Sequence, residues 1–267
     1  MVRIPQGILA ERLAAPRFEL TRHEPAAPLR PFIEYYWIVR WDLRGQPPHE
    51  QRVLPNLSVH TAFSRNASGV WGPSREVFSY LLDGKDQVLG VRFRPGCCRS
   101  FLGRPLTKLA GRALPLVEVF GPAAEQAQTA IRHADTTGEM VTIVDELLCA
   151  DVPALTAAEV RARDAVALIA SDPTLTRVGD LATATGMPVR TLQRLFTEHV
   201  GVNPKWAIQV YRLNDAAARI AANPHLHHAA LAHELGYSDQ AHFVRDFTAV
   251  AGIPPARYAQ KTEAAPR

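Results

Sequence analysis
Between about residue 175 and residue 260 the chain carries one helical unit twice. Leu181-Ala182 followed by Gly186 returns as Leu231-Ala232 followed by Gly236, an offset of 50. Past the turn the offset becomes 51: Leu192 matches Phe243, Arg194 matches Arg245, and Phe196 matches Phe247. Gly201-Val202-Asn203-Pro204 matches Gly252-Ile253-Pro254-Pro255 in the same way. Two copies are too few for a solenoid, so the repeat is a duplicated supersecondary unit. Each copy reads as a short apolar-periodic helix, a turn holding a glycine, and a second amphipathic helix. That is the outline of a helix-turn-helix, whose second helix enters the DNA major groove. Two units in one chain imply a regulator that reads two major-groove faces.

The remaining sequence limits the alternatives. At 267 residues the chain has room for two domains, each with an ordinary core. Hydrophobic residues at 47% and charged residues at 21% fit a globular protein, and no apolar run reaches eighteen residues. Met1 to Ala15 lacks the apolar core and cleavage pattern of a secretory signal. Three cysteines, two of them adjacent, do not make a disulfide framework, which points to a reduced cytoplasmic location. A net charge of +4 permits nucleic-acid binding without demanding it.

Residues 1–120 read as β-rich. Pro and Gly punctuate aromatic or β-branched runs at Ile33–Trp41, Leu57–Phe63, Gly69–Trp71 and Val88–Phe93. Residues 121–152 read as a helical connector, with helices over Ala123–His133 and Glu139–Cys149. Asp151-Val152-Pro153 is a boundary, because proline disfavours helical geometry just before it. Residues 153–267 read as all-helical: Glu159–Ala170, then one helix-turn-helix over about 178–200 and another over about 227–251. The first reading helix runs from near Pro188 to Val200. Between the two units, Asn203-Pro204 caps a long linker helix, about Lys205 to Ala222, packing on Trp206, Val210, Leu213, Ala217 and Ile220. Ser238 reads as the N-cap of the second reading helix, and the tail from Lys261 as unstructured. The fold class is therefore α+β, a β-rich domain followed by an all-α one.

The run Gly236-Tyr237-Ser238-Asp239-Gln240-Ala241-His242-Phe243, with Arg245, Phe247, Gly252, Pro255 and Tyr258, closely resembles the C-terminal signature of AraC/XylS-type transcription regulators. The first unit matches too, through Leu181-Ala182, Gly186-Met187, Leu192-Gln193-Arg194-Leu195-Phe196, Gly201-Val202, Pro204 and Arg212-Leu213. The resemblance covers roughly residues 155–260. Pro188 stands where the family has a Ser cap and Pro254 where it has Ser or Thr, both tolerable at helix starts. Tyr35-Tyr36-Trp37, Leu54-Pro55-Asn56, Gly72-Pro73, the run Gly90 to Gly96, and Pro115-Leu116 resemble the sensor-type domain of one branch of that family. No particular ligand follows from that likeness.

The second helix of the first unit splits into two faces. Leu192, Leu195, Phe196 and Val200 form an apolar stripe; Arg190, Gln193, Arg194 and Thr197 form a polar one. Arg pairs bidentately with guanine and Gln with adenine, so the polar stripe suits base edges, although an ordinary solvated face would look alike. The family resemblance carries the reading role to Arg190, Gln193 and Arg194. In the second unit the matching stripe is Ala241, Val244, Arg245 and Thr248, and the resemblance marks Gln240 and Arg245 as DNA contacts. Asp239 and Asp246 would repel phosphate there. Phosphate contacts are expected from Lys205, Arg212 and the helix N-termini.

Other constellations compete with this reading. Cys97-Cys98 beside Arg92, Arg94 and Arg99 would suit a redox sensor, since cations lower thiol pKa, or two small residues packed at a turn. His49, Glu50 and His60 could ligate a metal in a barrel but lack a close-spaced histidine pair. His225, His227, His228 and His233 read as solvated rather than metal-bound. The apolar face at Ile143–Leu148 is either a dimer seam or internal packing. No phosphate loop, nucleophile elbow or zinc-type cysteine spacing occurs, so no catalysis, metal or cofactor is expected. A DNA-repair methyl acceptor fused to this module would need a cysteine-rich zinc site that two adjacent cysteines do not supply. The expected partners are double-stranded DNA, a small-molecule effector at the N-terminal domain, a second copy in a homodimer, and RNA polymerase should the protein activate. A membrane is not among them.

Overall fold
The computed structural model describes residues 17–109 and 113–263. The readings for Met1–Ala15 and for the last four residues of the tail lie outside them. Among the described residues, eight strands occupy the N-terminal region: β1 (Glu19–His23), β2 (Ile33–Asp42), β3 (His49–Val53), β4 (His60–Phe63), β5 (Gly69–Trp71), β6 (Phe78–Leu82), β7 (Lys85–Phe93) and β8 (Ala113–Leu114). Six form one antiparallel sheet in the order β1-β2-β7-β4-β5-β8, and β3 pairs with β6 as a separate two-stranded sheet.

Side chains alternate across a strand, and both faces of the larger sheet are apolar. On one face Tyr36, Ile38, Leu89, Val91, Phe93, Phe63 and Val70 are buried in a shared core. That core is closed by α1 (Arg99–Leu102), α2 (Leu116–Phe120), α3 (Ala123–His133) and α4 (Thr137–Cys149). Met140, Val144 and Leu148 supply the apolar stripe of α4, and Tyr36 Oη donates to Asp145 Oδ1 at 2.6 Å. The Ile143–Leu148 stretch is thus committed to internal packing at Val144 and Leu148, with Ile143 and Leu147 half-buried beside them. The opposite face of the sheet carries Leu20, Tyr35, Trp37, Val39, Val88, Arg92, His60 and Trp71, which line a cavity.

The helical region follows as α5 (Ala157–Ser171), α6 (Val178–Thr185), α7 (Val189–Leu195), α8 (Pro204–Ala222), α9 (His228–Glu234), α10 (Gln240–Ala251) and α11 (Pro255–Glu263). A capping box at Thr136/Glu139 starts α4 and another at Thr156/Glu159 starts α5. Helix α8 begins as the sequence suggests: Asn203 accepts from the Trp206 N–H at 2.8 Å, with Pro204 in the first turn. Eleven of its nineteen residues are buried, which makes it the axis of the helical core rather than an amphipathic surface helix.

Three details depart from the sequence reading. The first reading helix does not continue as an α-helix to Val200: Phe196–Val200 forms a π-turn. Gly201, at φ 85°, closes it with an N–H to Phe196 O bond of 2.8 Å. The N-cap of α10 is Asp239, not Ser238; its carboxylate accepts from the His242 N–H at 2.7 Å, while the Ser238 hydroxyl donates to Asp239. A carboxylate is both a better acceptor and a favourable charge at a helix N-terminus. The tail is helical through Glu263, because Tyr258 and Ala259 of α11 are buried against the core, so Lys261 sits in a packed helix.

Phe196 and Phe247 occupy equivalent places in the two units, at 0% and 1% exposure. Truncating either to alanine is expected to cost about 3–5 kcal/mol. Chemical denaturation of both variants checks this: wild-type stability in either one would show that the two units do not share one core logic.

Candidate nucleic-acid interface and N-terminal cavity
Helix α7 presents its faces as the sequence implies. Leu192 and Leu195 are buried, as are Phe196 and Val200 of the π-turn, while Arg190, Gln193, Arg194 and Thr197 are exposed. The four therefore share one solvent face on a scaffold locked by its other side. Thr197 differs from the other three, because its hydroxyl donates to the Gln193 carbonyl at 2.8 Å. Val189 was not foreseen. It begins α7 beside Arg190 and is 42% exposed. The helical period did not signal this: Val189 stands three and seven residues before Leu192 and Phe196, in phase with the buried stripe, and is exposed at the first position of the helix.

In the second unit Gln240, Ala241 and Arg245 are exposed and Val244 is half-buried. Asp239 is spent on the N-cap, and its carboxyl is held below the ordinary value by the His242 backbone N–H, by Ser238 and by Arg245 nearby. Asp246 is half-buried 3.6 Å from the His242 imidazole. Both acids are thus turned to local structure.

Lys205 is exposed at the start of α8. Arg212 does not join the exposed cations. Its guanidinium lies 4.1 Å from the Tyr237 ring centroid, its Nε–H donates to Leu235 O at 2.8 Å, and one terminal nitrogen is buried. Arg212 fastens the turn of the second unit to the linker helix.

The N-terminal region grips this helical body at the far ends of both reading helices. Arg99 donates to Glu198 at 2.6 Å and meets the His199 imidazole at 3.2 Å, just past α7. Gly201 packs so closely on Leu106 that a Cβ there would lie 3.1 Å from the Leu106 Cβ. The Arg52 guanidinium rests on Gly252, just past α10, where a Cβ would lie 2.7 Å from it. Between these, Arg75 sits 5.3 Å over the Trp206 ring. Leu54 and Leu57 are buried in the helical core, and the Asn214 amide donates to Pro55 O at 2.9 Å. Ser100 donates through backbone and hydroxyl to the fully buried Glu159, at 2.9 and 2.5 Å. Burial raises the Glu159 carboxyl, but these bonds and those from Thr156 outweigh it and leave its pKa below the ordinary value. Arg190, Gln193 and Arg194 of α7 and Gln240 and Arg245 of α10 stay exposed.

A cavity of about 540 Å³ lies between the larger sheet and the β3–β6 pair. Its walls are mostly apolar, with Arg92, His60, Asn56 and Ser58 gathered among them. Burial and the neighbouring Arg92 push the His60 imidazole down to about 3, so it is neutral. Its Nε2–H donates to Asn56 Oδ1 at 3.0 Å. His49 lies on β3, paired with Leu82, and no cluster of metal-ligating side chains forms among the described residues.

Cys97 and Cys98 are 0% and 1% exposed. Burial pushes the Cys97 thiol up to about 12, against the pull of Arg163 and Arg94, and Cys98 higher than its ordinary value as well. The cations beside these thiols are outweighed by desolvation, so they do not activate either one as a thiolate.

Residues 181–261 match the family model described as a helix-turn-helix domain. Residues 181–261 thus form a helix-turn-helix domain. Residues 21–115 match a second model, described as a domain of unknown function, DUF6597. No curated protein matches the sequence significantly. Among solved structures, an AraC-type transcriptional regulator from Chromobacterium violaceum is 22% identical over 41% of this chain and 97% of its own, with a TM-score of 0.37. ToxT from Vibrio cholerae is 12% identical over 93% of this chain and 95% of its own, at 0.42. CdpR from Pseudomonas aeruginosa is 15% identical over 96% of this chain and 79% of its own, at 0.34. No helix among the described residues is long and apolar enough to cross a membrane.

Two of the three basic residues on α8, Lys205 and Arg212, separate under mutation. Arg212→Gln is expected to lower stability by about 1–3 kcal/mol, because it removes a charged hydrogen bond and leaves the Leu235 carbonyl short of a donor. Lys205→Gln is expected to leave stability unchanged and to flatten the slope of log affinity against log salt by about 0.9. Thermal melts beside salt titrations of DNA binding check both; the reverse pattern would exchange the roles of the two side chains.

Proposed function
We propose that this protein is a sequence-specific transcription regulator that reads two successive major-groove segments with α7 and α10, under the control of a signal received by its N-terminal domain. The observation that carries the reading is the disposition of α7. Arg190, Gln193 and Arg194 stand together in solvent while the opposite side of the helix is locked in the core. Val189 adds an apolar contact suited to a thymine methyl group. Gln240 and Arg245 do the same work on α10, with fewer groups. Lys205 contributes to backbone phosphate, and Thr197 supports Gln193 rather than reading a base.

In this reading residues 1–120 sense, 121–152 brace the sensor sheet, and 153–267 bind DNA. The protein works in the cytoplasm without catalysis, and a homodimer or RNA polymerase would be further partners. Control passes through shared walls. Leu54 and Pro55 line the cavity on one side and engage the helical core and Asn214 on the other. Val77, at the cavity, lies beside Gly252 at the end of α10. Whatever fills the cavity pushes on segments that touch the linker helix α8 and the end of α10.

The two helices should differ in stringency, since each good base pairing contributes about 1–3 kcal/mol of discrimination. A base-by-base selection with the full chain is expected to show a sharper half-site facing α7 than α10. Arg194→Ala should relax base preference in the α7 half-site, and Arg245→Ala should weaken binding to all sequences alike. Equal stringency in both half-sites, or a sequence-neutral loss from Arg194→Ala, would overturn the assignment of reading residues.

A further inference from the structure
We propose that the contact of Arg99 with Glu198 and His199 is an acid-sensitive latch. It holds the end of α7 to the N-terminal region at neutral pH and releases it when His199 gains a proton. Acidity is then an input to the first helix-turn-helix unit that does not pass through the cavity.

His199 sits in the π-turn that ends α7 and is 4% exposed. Arg99, on the short helix α1 of the N-terminal region, reaches across to this turn. One of its terminal nitrogens lies 2.6 Å from Glu198 Oε2 and 3.2 Å from His199 Nε2. A guanidinium only donates, so Nε2 is the acceptor and the ring proton of the neutral imidazole stands on Nδ1. Nδ1 is itself buried and has no hydrogen-bond partner among the described residues. A second proton has to enter at Nε2, where it meets an N–H of Arg99 instead of completing a bond. The contact between the two side chains therefore exists only while His199 is neutral.

The charges around the ring do not reverse this. Arg99 and, from α5, Arg161 oppose a positive imidazole, while Glu198 on the turn itself and Glu159 on α5 favour one. Both carboxylates are already engaged, Glu198 with Arg99 and Glu159 with Ser100 and Thr156. The turn Leu106–Leu109 packs on Gly201 through Leu106; its charged residue, Lys108, is exposed. With two cations set against two carboxylates, burial decides and holds the imidazole below its ordinary value.

An imidazole released into water titrates at about 6.5. A group whose pKa is lower in the docked state supports docking in full above that value. Its support is lost as the pH falls from there toward the docked value. The second unit has no such device. Fifty-one residues on from His199 stands Val250, a buried valine, and the grip on that unit is Arg52 against Gly252. Acid thus acts on the end of α7 and spares the end of α10.

The test is hydrogen–deuterium exchange of the full chain at pH 7.5 and at pH 5.5, each rate divided by the intrinsic rate for that pH. Protection of the segment from Phe196 to Gly201 is expected to fall by about three- to ten-fold, the range open to one group that titrates at about 6.5 when released. Protection of the matching segment from Phe247 to Gly252 is expected to stay the same. Glutamine offers Arg99 an amide oxygen that does not titrate, so in His199→Gln the fall should disappear. The comparison of the two segments in the unmodified protein decides by itself should that variant fail to fold. Equal protection of the first segment at both pH values, a parallel loss in both segments, or a His199→Gln protein that keeps the wild-type fall overturns the inference.

Discussion
Helix α8 has to satisfy three neighbours at once, and the rest of the molecule is arranged around that demand. Trp206, Val210, Leu213, Ala217 and Ile220 run along it, but Ala207, Ile208, Tyr211 and Ala216 are buried as well, so no broad face is left for solvent. Both helix-turn-helix units contribute to the core it organises, through Leu192 and Phe196 on one side and Phe243 and Phe247 on the other. The third neighbour is the N-terminal segment with Leu54 and Leu57. Asn214 shows how tightly the three are joined. It is 8% exposed, and its amide nitrogen donates both to Val210 O on its own helix and to Pro55 O across the interface, each at 2.9 Å. A buried amide pays a desolvation cost unless it is bonded, so the Pro55 carbonyl is part of what makes this residue tolerable there.

The larger sheet meets a different constraint. A sheet with two apolar faces has to cover both, and here one is covered by α3, α4 and the turns beside them. Among the described residues the other is covered by the β3–β6 pair and by the segment entering the helical core, with a cavity lined in part by aromatic side chains between them. Side chains that line a cavity have fewer protein neighbours than those of a close-packed core. The β3–β6 pair also carries Arg52, which reaches Gly252. Apolar cover and domain grip are thus two sides of one small sheet.

The helical half was legible because its signals are local. Gly186, Gly201, Gly236 and Gly252 all stand at positive φ, and a glycine at the end of an apolar-periodic helix is a local stop. Buried and exposed stripes on α7 followed directly from the 3.6-residue period. What failed there was also local: Asp239 took the cap from Ser238, one residue away, because two acceptors competed for one N–H. The strand half was less legible. Ile33–Trp41 and Gly69–Trp71 showed themselves through aromatic and β-branched runs. His49–Val53, with His, Glu, Gln and Arg, did not, because a strand that covers a cavity and faces solvent needs no apolar alternation. The fate of Arg212 was hidden for a further reason. Nothing in the sequence near it tells that Tyr237 and the Leu235 carbonyl lie alongside, since that contact is made across the fold. The cavity, its charge and the burial of Cys97 and Cys98 are likewise products of tertiary packing.

The burial of α8 also settles where flexibility can enter when DNA is bound. Nineteen residues span roughly 28 Å at about 1.5 Å per residue, whereas successive major-groove faces repeat at roughly 34 Å. An exposed linker could absorb that difference by tilting the two units independently. Helix α8 cannot do so without exposing core residues such as Leu213 and Ile220, so the mismatch falls on the DNA or on the angle between the units. The angle is what the N-terminal region holds, because Arg99 grips the end of α7 and Arg52 the end of α10. Straight DNA and firmly held units are therefore in conflict, and whichever is softer yields. A change in the cavity wall that loosens the Arg52 contact lets α10 adjust; one that tightens it requires the duplex to bend. In the proposed reading, control by the N-terminal region needs no large domain rotation, only a shift in how firmly two helix ends are held.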